Sequence, residues 1–114
     1  MKYSPESEAI EFPNGRDCTV WEYPRRDPDI HGSVGRIHGR YPEVGFAVNR
    51  EVKELIYVIS GAGVLATHAE TFLLEPGGMG IIEPGETYYL EGSELKLFMA
   101  TTPAWTPEQH EIVE

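Results

Sequence analysis

The stretch that decides the fold lies in the middle of the chain and reads Glu54-Leu55-Ile56-Tyr57-Val58-Ile59-Ser60-Gly61-Ala62-Gly63. Its apolar run is short, rich in β-branched and aromatic residues, and followed by glycines. This pattern predicts a buried strand that ends in a turn. Glu54 is the exception in the run. Because a buried carboxylate is costly unless it is paired or hydrogen-bonded, we expect Glu54 either at a solvated strand end or at a site.

Short strands separated by turn signals are predicted on both sides of this stretch. Upstream, residues 8–24 predict an edge hairpin, residues 30–38 a third strand and residues 46–49 a fourth. Downstream, strands are predicted at 64–67, 71–74, 79–82, 87–90 and 95–100, with turns at 60–63 and 91–94. Only the segment from Thr106 to Gln109 is typical of a helical turn. The sequence therefore predicts an all-β antiparallel sandwich or barrel.

Length and composition limit the partners and the domain count. The 114 residues predict one domain, and 12 Gly and 9 Pro favour many turns. A formal charge of −10 opposes binding to nucleic acid or to an anionic membrane surface. No apolar run approaches the roughly 20 residues that span a bilayer. A single cysteine and an N-terminus without an apolar signal segment favour the reducing cytoplasm.

The chain resembles the cupin family in the spacing of two motifs. Glu54 and Gly61 match the second half of the family's first motif, and Gly77, Gly85 and Tyr88 match the frame of its second. The tail at residues 102–108 is also similar to the final segment of many small cupins. The resemblance implies a double-stranded β-helix, also called a jelly-roll or cupin barrel. It covers residues 30–108 of a single domain at 1–114.

The residues that carry the chemistry of the family differ here. Cupin metal sites use two histidines and a glutamate from the first motif and a histidine from the second. The two histidine positions of the first motif fall on Ala47 and Asn49, or on Val48 and Arg50 with the shorter spacing. The histidine position of the second motif falls on Tyr88. One carboxylate, one amide and one phenol are a weak donor set for a transition metal. We therefore expect no tight metal site and no cofactor.

The family frame instead predicts a polar cluster inside an apolar barrel. Since side chains alternate along a strand, Asn49, Glu54 and Tyr88 are expected to meet in the interior, near one end. A few convergent polar groups in an apolar cavity are typical of a small-molecule site. Arg36 and His38 share a face of the preceding strand and are further candidates for ligand binding, either of which can enter the cavity.

The remaining histidines and the cysteine are not assigned to the predicted site. His68 is expected to be solvated at a hairpin tip, and His110 to be exposed near the C-terminus. His31 has no assigned role. Cys18 is expected to be an ordinary strand residue, because no nucleophile arrangement surrounds it.

Three functions remain open. The first is binding of a small polar metabolite, a sugar or an organic acid, without metal. The second is an isomerase, epimerase or lyase, in which Glu54 and Tyr88 are catalytic and Glu54, with its pKa raised by burial, transfers a proton. The third is a non-catalytic interaction module. Small cupins commonly pair, so a homodimer is expected, with Trp21 and Tyr23 of the edge hairpin at its contact surface.

Overall fold

A computed structural model describes all residues 1–114 and consists of strands and connecting loops, apart from two short 3₁₀ turns. The prediction of an all-β fold with a short C-terminal helical turn is confirmed. The strands are β1 (Ile10–Pro13), β2 (Cys18–Glu22), β3 (His31–Tyr41), β4 (Phe46–Asn49), β5 (Lys53–Ala66), β6 (Thr71–Leu74), β7 (Met79–Ile82), β8 (Thr87–Thr102) and β9 (His110–Val113). The 3₁₀ turns are Glu6–Glu8 and Pro107–Gln109.

The two longest strands, β5 and β8, pair with each other in antiparallel fashion from Lys53↔Thr102 to Ala66↔Tyr89. The predicted turns at residues 60–63 and 91–94 are therefore wrong, because both segments lie inside this ladder. The register shifts twice between Val58 and Ala62. Gly61 has a φ of +84°, and a Cβ atom there would lie 2.1 Å from the carbonyl oxygen of Glu94. The glycine thus permits a bulge that bends the strand without reversing it.

One further strand extends beyond its predicted limits, and another strand was not predicted at all. β3 continues to Tyr41 through an irregularity between Ile37 and Gly39, and it pairs with β8 up to Leu90. β9 was not predicted, yet it pairs with β4 from Phe46↔Val113 to Asn49↔His110. The chain end thereby covers the barrel interior next to Asn49. The longer β3 brings Tyr41, and the additional strand β9 brings His110, towards the polar end of the core.

The faces of the strands agree with the predicted alternation. Glu54, Ile56 and Val58 are buried, while Tyr57 on the same strand is 43% exposed. Cys18, Ile37, Leu95 and Leu97 belong to the same core cluster. The outer face of the sheet carries exposed apolar side chains, and three of them, Tyr57, Met79 and Phe98, lie on adjacent paired positions. The expected homodimer stays a prediction. No helix in the structure has the length and apolar character that crossing a membrane requires.

Candidate functional site

The candidate site is a cavity of about 670 Å³ inside the barrel. Its walls are mainly apolar and include Val20, Ile37, Leu90, Leu97 and Met99. Polar side chains enter it at two places. One set comprises Glu54, Tyr88, Tyr41 and His110, and the other comprises Glu22, His31, Ser33 and Thr101. An apolar cavity of this size with a few polar groups fits a small organic molecule.

Glu54 projects into this cavity from β5 and is only 6% exposed. Its Oε1 accepts a hydrogen bond from Nδ2 of Asn49, with a donor–acceptor distance of 3.1 Å. Burial raises the pKa of Glu54 from 4.5 to about 7, and the hydrogen bond from Asn49 opposes this effect only in part. Near neutral pH the carboxyl group is therefore present in both its acid and its base form, as a proton-transfer group requires.

Asn49 is the centre of the polar network and is 1% exposed. Its Oδ1 accepts three hydrogen bonds, from Trp105 Nε1 at 3.2 Å, Gln109 Nε2 at 3.1 Å and His110 Nδ1 at 2.7 Å. Three donors facing one atom identify that atom as the carbonyl oxygen, so the amide nitrogen must face Glu54. The C-terminal segment thus fixes the orientation of the group that holds Glu54.

His110 links this network to Tyr41. Because Nδ1 donates to Asn49, the neutral ring presents the lone pair of Nε2, which lies 2.7 Å from the hydroxyl oxygen of Tyr41. Burial lowers the pKa of His110 and raises the pKa of Tyr41 to about 12. The hydroxyl group of Tyr41 therefore donates to a neutral imidazole.

Tyr88 lies at the same end of the cavity and is 4% exposed. Burial, followed by the negative charge of Glu54, raises its pKa well above the ordinary value of 10. The phenol thus stays protonated at neutral pH and can donate a hydrogen bond to a ligand. The structure brings Asn49, Glu54 and Tyr88 together, and the direct partner of Glu54 in the hydrogen-bond network is Asn49.

The structure places Arg36 and His38 away from the cavity, which corrects their expected place. Both side chains are on the exposed face of β3, since Ile37 between them is buried in the core. Arg36 Nε donates to Glu94 Oε2 at 3.0 Å, and the backbone amide of Glu94 donates to His38 Nδ1 at 3.3 Å. Arg36 and His38 share a face of β3, as predicted, but that face is the outer one.

Tyr41, Trp105, Gln109 and His110 are site residues that sequence reasoning missed. His110 was expected to be exposed, whereas it hydrogen-bonds to Asn49, as Trp105 also does. The two β-branched residues Ile112 and Val113 were the available signal for the last strand. His68 is exposed as predicted and lies over Phe46. Cys18 is buried, and burial raises its pKa to about 11.

The donor set does not fit the divalent metal that the cupin resemblance implies. Ala47 offers no donor atom, and the Asn49 carbonyl oxygen already accepts three hydrogen bonds. Both nitrogens of His110 are engaged by Asn49 and Tyr41. Glu54 is the only carboxylate in this cluster. A transition-metal site needs several free basic donors that converge on one point.

Known structures share the fold of this chain, two of them over its full length. A variant of the Streptomyces protein Pac13, a nucleoside dehydratase solved with uridine, has a TM-score of 0.87 at 19% identity over 100% of this chain and 92% of its own. Ectoine synthase from P. lautus has a TM-score of 0.78 at 16% identity over 100% and 91%. A cupin-2 domain protein from Shewanella frigidimarina has a TM-score of 0.59 at 17% identity over 68% and 74%.

The sequence comparisons give no match: neither a protein-family model nor a curated protein matches this chain. The similarity to known proteins is in the fold. The cupin resemblance seen in the motif spacing agrees with the strand order, with the two long bent strands and with the known structures of the same fold. These known structures include enzymes that act on small metabolites. The chain has the fold of a small cupin barrel.

Proposed function

We propose that this protein is an enzyme of the lyase or isomerase class that transfers a proton on a small polyhydroxylated metabolite, with Glu54 as the acid–base group. The observation that carries the proposal is the buried Glu54 carboxyl, which faces the cavity and has its pKa raised to about 7. A general acid–base group works best when its pKa lies near the working pH. The similarity to a nucleoside dehydratase supports a sugar-containing substrate.

The substrate is expected to present hydroxyl groups rather than a carboxylate. Glu54 and Glu22 line the cavity, and carboxylates accept hydrogen bonds from hydroxyl groups but repel anions. Arg26 is the only arginine or lysine that lines the cavity, and its exposed side chain already donates to the Trp105 carbonyl oxygen. The apolar walls would cover the carbon skeleton. We therefore favour a sugar or nucleoside over the organic acid that the sequence left open.

In the proposed reaction, ionised Glu54 takes a proton from the carbon next to a carbonyl group. The C–H bond breaks, its electron pair moves towards the carbonyl oxygen, and the O–H of Tyr88 donates a hydrogen bond to the resulting enolate. Protonated Glu54 then gives the proton to the former carbonyl carbon, while the proton of a hydroxyl group on the deprotonated carbon moves to the enolate oxygen, which gives an isomer. Alternatively Glu54 protonates a hydroxyl group on the neighbouring carbon, which leaves as water. Fixed donors at a developing oxyanion typically contribute 10²–10³ in rate.

The Glu54→Gln variant tests this proposal. It keeps the size and polarity of the side chain and removes its acid–base function, so we expect turnover to be lost while ligand binding persists. A panel of sugars and nucleosides that includes uridine would be followed by NMR for turnover and by thermal unfolding for binding. A ligand at 100 times its Kd adds about 2.7 kcal/mol of stability.

The exposed Glu75 supplies the matched control, because Glu75→Gln makes the same change outside the cavity. Turnover that survives Glu54→Gln would refute the proposed role of Glu54. Binding without turnover by the wild-type protein would favour the second candidate, a non-catalytic metabolite-binding barrel. The hydrogen bond that Glu54 already accepts from Asn49 is compatible with that candidate.

The proposed chemistry uses no metal, because the donor set around Glu54 does not fit one. We expect elemental analysis of protein purified without chelators to find transition metal far below one ion per chain. A stoichiometric content of iron, manganese, nickel or zinc would contradict this expectation. In that case Ala substitution of Glu54 should show whether the metal is held in the cavity.

A further inference from the structure

A second polar cluster lies in the same cavity and takes no part in the chemistry proposed for Glu54. It comprises His31 on β3, Thr101 on β8 and Glu22 on β2. His31 is 8% exposed and Thr101 is 4% exposed. The apolar neighbours Val20, Leu97 and Met99 line the cavity beside them, so these polar groups are not at a solvated surface.

The cluster contains buried polar atoms that lack hydrogen-bond partners. Thr101 Oγ1 has none. His31 Nε2 and Glu22 Oε2 contact each other at 2.6 Å, and neither has a further partner. Most buried polar side-chain atoms in folded proteins are satisfied, and a buried polar atom without a partner destabilises the fold. The unpartnered Thr101 Oγ1, beside a His31–Glu22 pair that has no further partner, therefore indicates that a bound group completes the hydrogen bonds of this cluster.

The register of the sheet places this cluster in line with Glu54. Glu54 is directly opposite Thr101 in the β5–β8 pair, and Thr101 is directly opposite His31 in the β8–β3 pair. Opposed residues project to the same face, so the three side chains form a row across the inner surface. Neighbouring strands lie about 4.8 Å apart, which separates the Cα atoms of Glu54 and His31 by about 10 Å.

We propose that Thr101 and His31, with Glu22, form a second subsite that binds a hydroxyl group at the end of the substrate remote from Glu54. A hydroxyl group suits this cluster because it can donate to Glu22 or Thr101 and accept from Thr101 or His31. The inference rests on the proposed function, since it assigns both clusters to one ligand. It deepens that function by defining the substrate as an uncharged molecule with polar groups at both ends of a skeleton long enough to reach both clusters.

The test uses xylitol, a linear polyol, at molar concentration. Crystals of the full chain would be soaked in it, and ¹⁵N-labelled protein would be titrated with it by NMR. We expect a xylitol oxygen within hydrogen-bonding distance of Thr101 Oγ1 or His31 Nε2, and amide shift changes at Thr101 as well as at Glu54. Density beside Glu54 alone would overturn the second subsite and leave the proposed function intact. No binding in the cavity would count against both.

The Thr101→Val variant separates a binding role from a structural one. It replaces the orphan hydroxyl by a methyl group of similar size, so unfolding stability should be unchanged or slightly higher. The Kd for xylitol should rise by about 2- to 12-fold, the equivalent of one lost hydrogen bond. Thr102→Val makes the same change on the exposed face of β8 and should leave the Kd unchanged. An unchanged Kd in Thr101→Val, or equal effects of both variants, would refute the subsite.

Discussion

Asn49→Ala is expected to lower the free energy of unfolding by about 3–5 kcal/mol, because it leaves several buried groups without partners at once. Trp105, Gln109 and His110 all donate to the Asn49 carbonyl oxygen, and Glu54 accepts from its nitrogen. Each buried donor that loses its acceptor costs about 1–3 kcal/mol. Urea unfolding followed by tryptophan fluorescence and circular dichroism would measure the change.

The exposed Glu75 provides the control for this prediction. Glu75→Ala truncates a polar side chain at the surface, outside the cavity, and we expect an effect within about 0.5 kcal/mol. Asn49→Asp keeps the acceptor for the three donors, so its loss should be smaller than that of Asn49→Ala. A loss below about 1 kcal/mol in Asn49→Ala would show that the network contributes little to stability.

Glu54 is expected to make the protein less stable as the pH rises from 4.5 to 7. Folding raises the pKa of this carboxyl from 4.5 to about 7, so its protonated form is favoured in the folded state. Below pH 4.5 the group is neutral in both states and its burial carries no ionisation penalty. Between pH 4.5 and 7 the unfolded state loses its proton first, and stability falls by about 1.4 kcal/mol per pH unit. By pH 7 the free energy of unfolding has fallen by about 3 kcal/mol in total, and it stays at that level at higher pH as far as Glu54 is concerned.

Comparison of the wild type with Glu54→Gln isolates this contribution, since glutamine cannot ionise. We expect the stability of the variant relative to the wild type to increase by about 3 kcal/mol between pH 4 and pH 8. Chemical unfolding at several pH values would measure it, with Glu75→Gln as the control that should follow the wild type. A difference between Glu54→Gln and wild type that does not depend on pH would mean that Glu54 keeps an ordinary pKa when folded.

Local patterns carried most of the information about the fold. The alternation of apolar and polar residues placed Ile56 and Val58 inside and Tyr57 outside, because residues two apart in a strand share a face. The glycines at residues 60–63 and 91–94 were interpreted as turns, and the predicted strand boundaries there were wrong. A glycine permits both a reversal and a bulge, and the choice depends on whether a partner strand continues beside it. Here β5 and β8 continue beside each other.

For the site, the sequence by itself determined that Asn49, Glu54 and Tyr88 enter one interior, since their positions follow from motif spacing and strand alternation. Only the tertiary structure decided their partners. His110 and Gln109 are about 60 residues from Asn49 along the chain, and they reach it because β9 pairs with β4. The row of Glu54, Thr101 and His31 likewise depends on the register between three strands. Contacts between distant segments are set by how the sheet closes, and no local pattern encodes that closure.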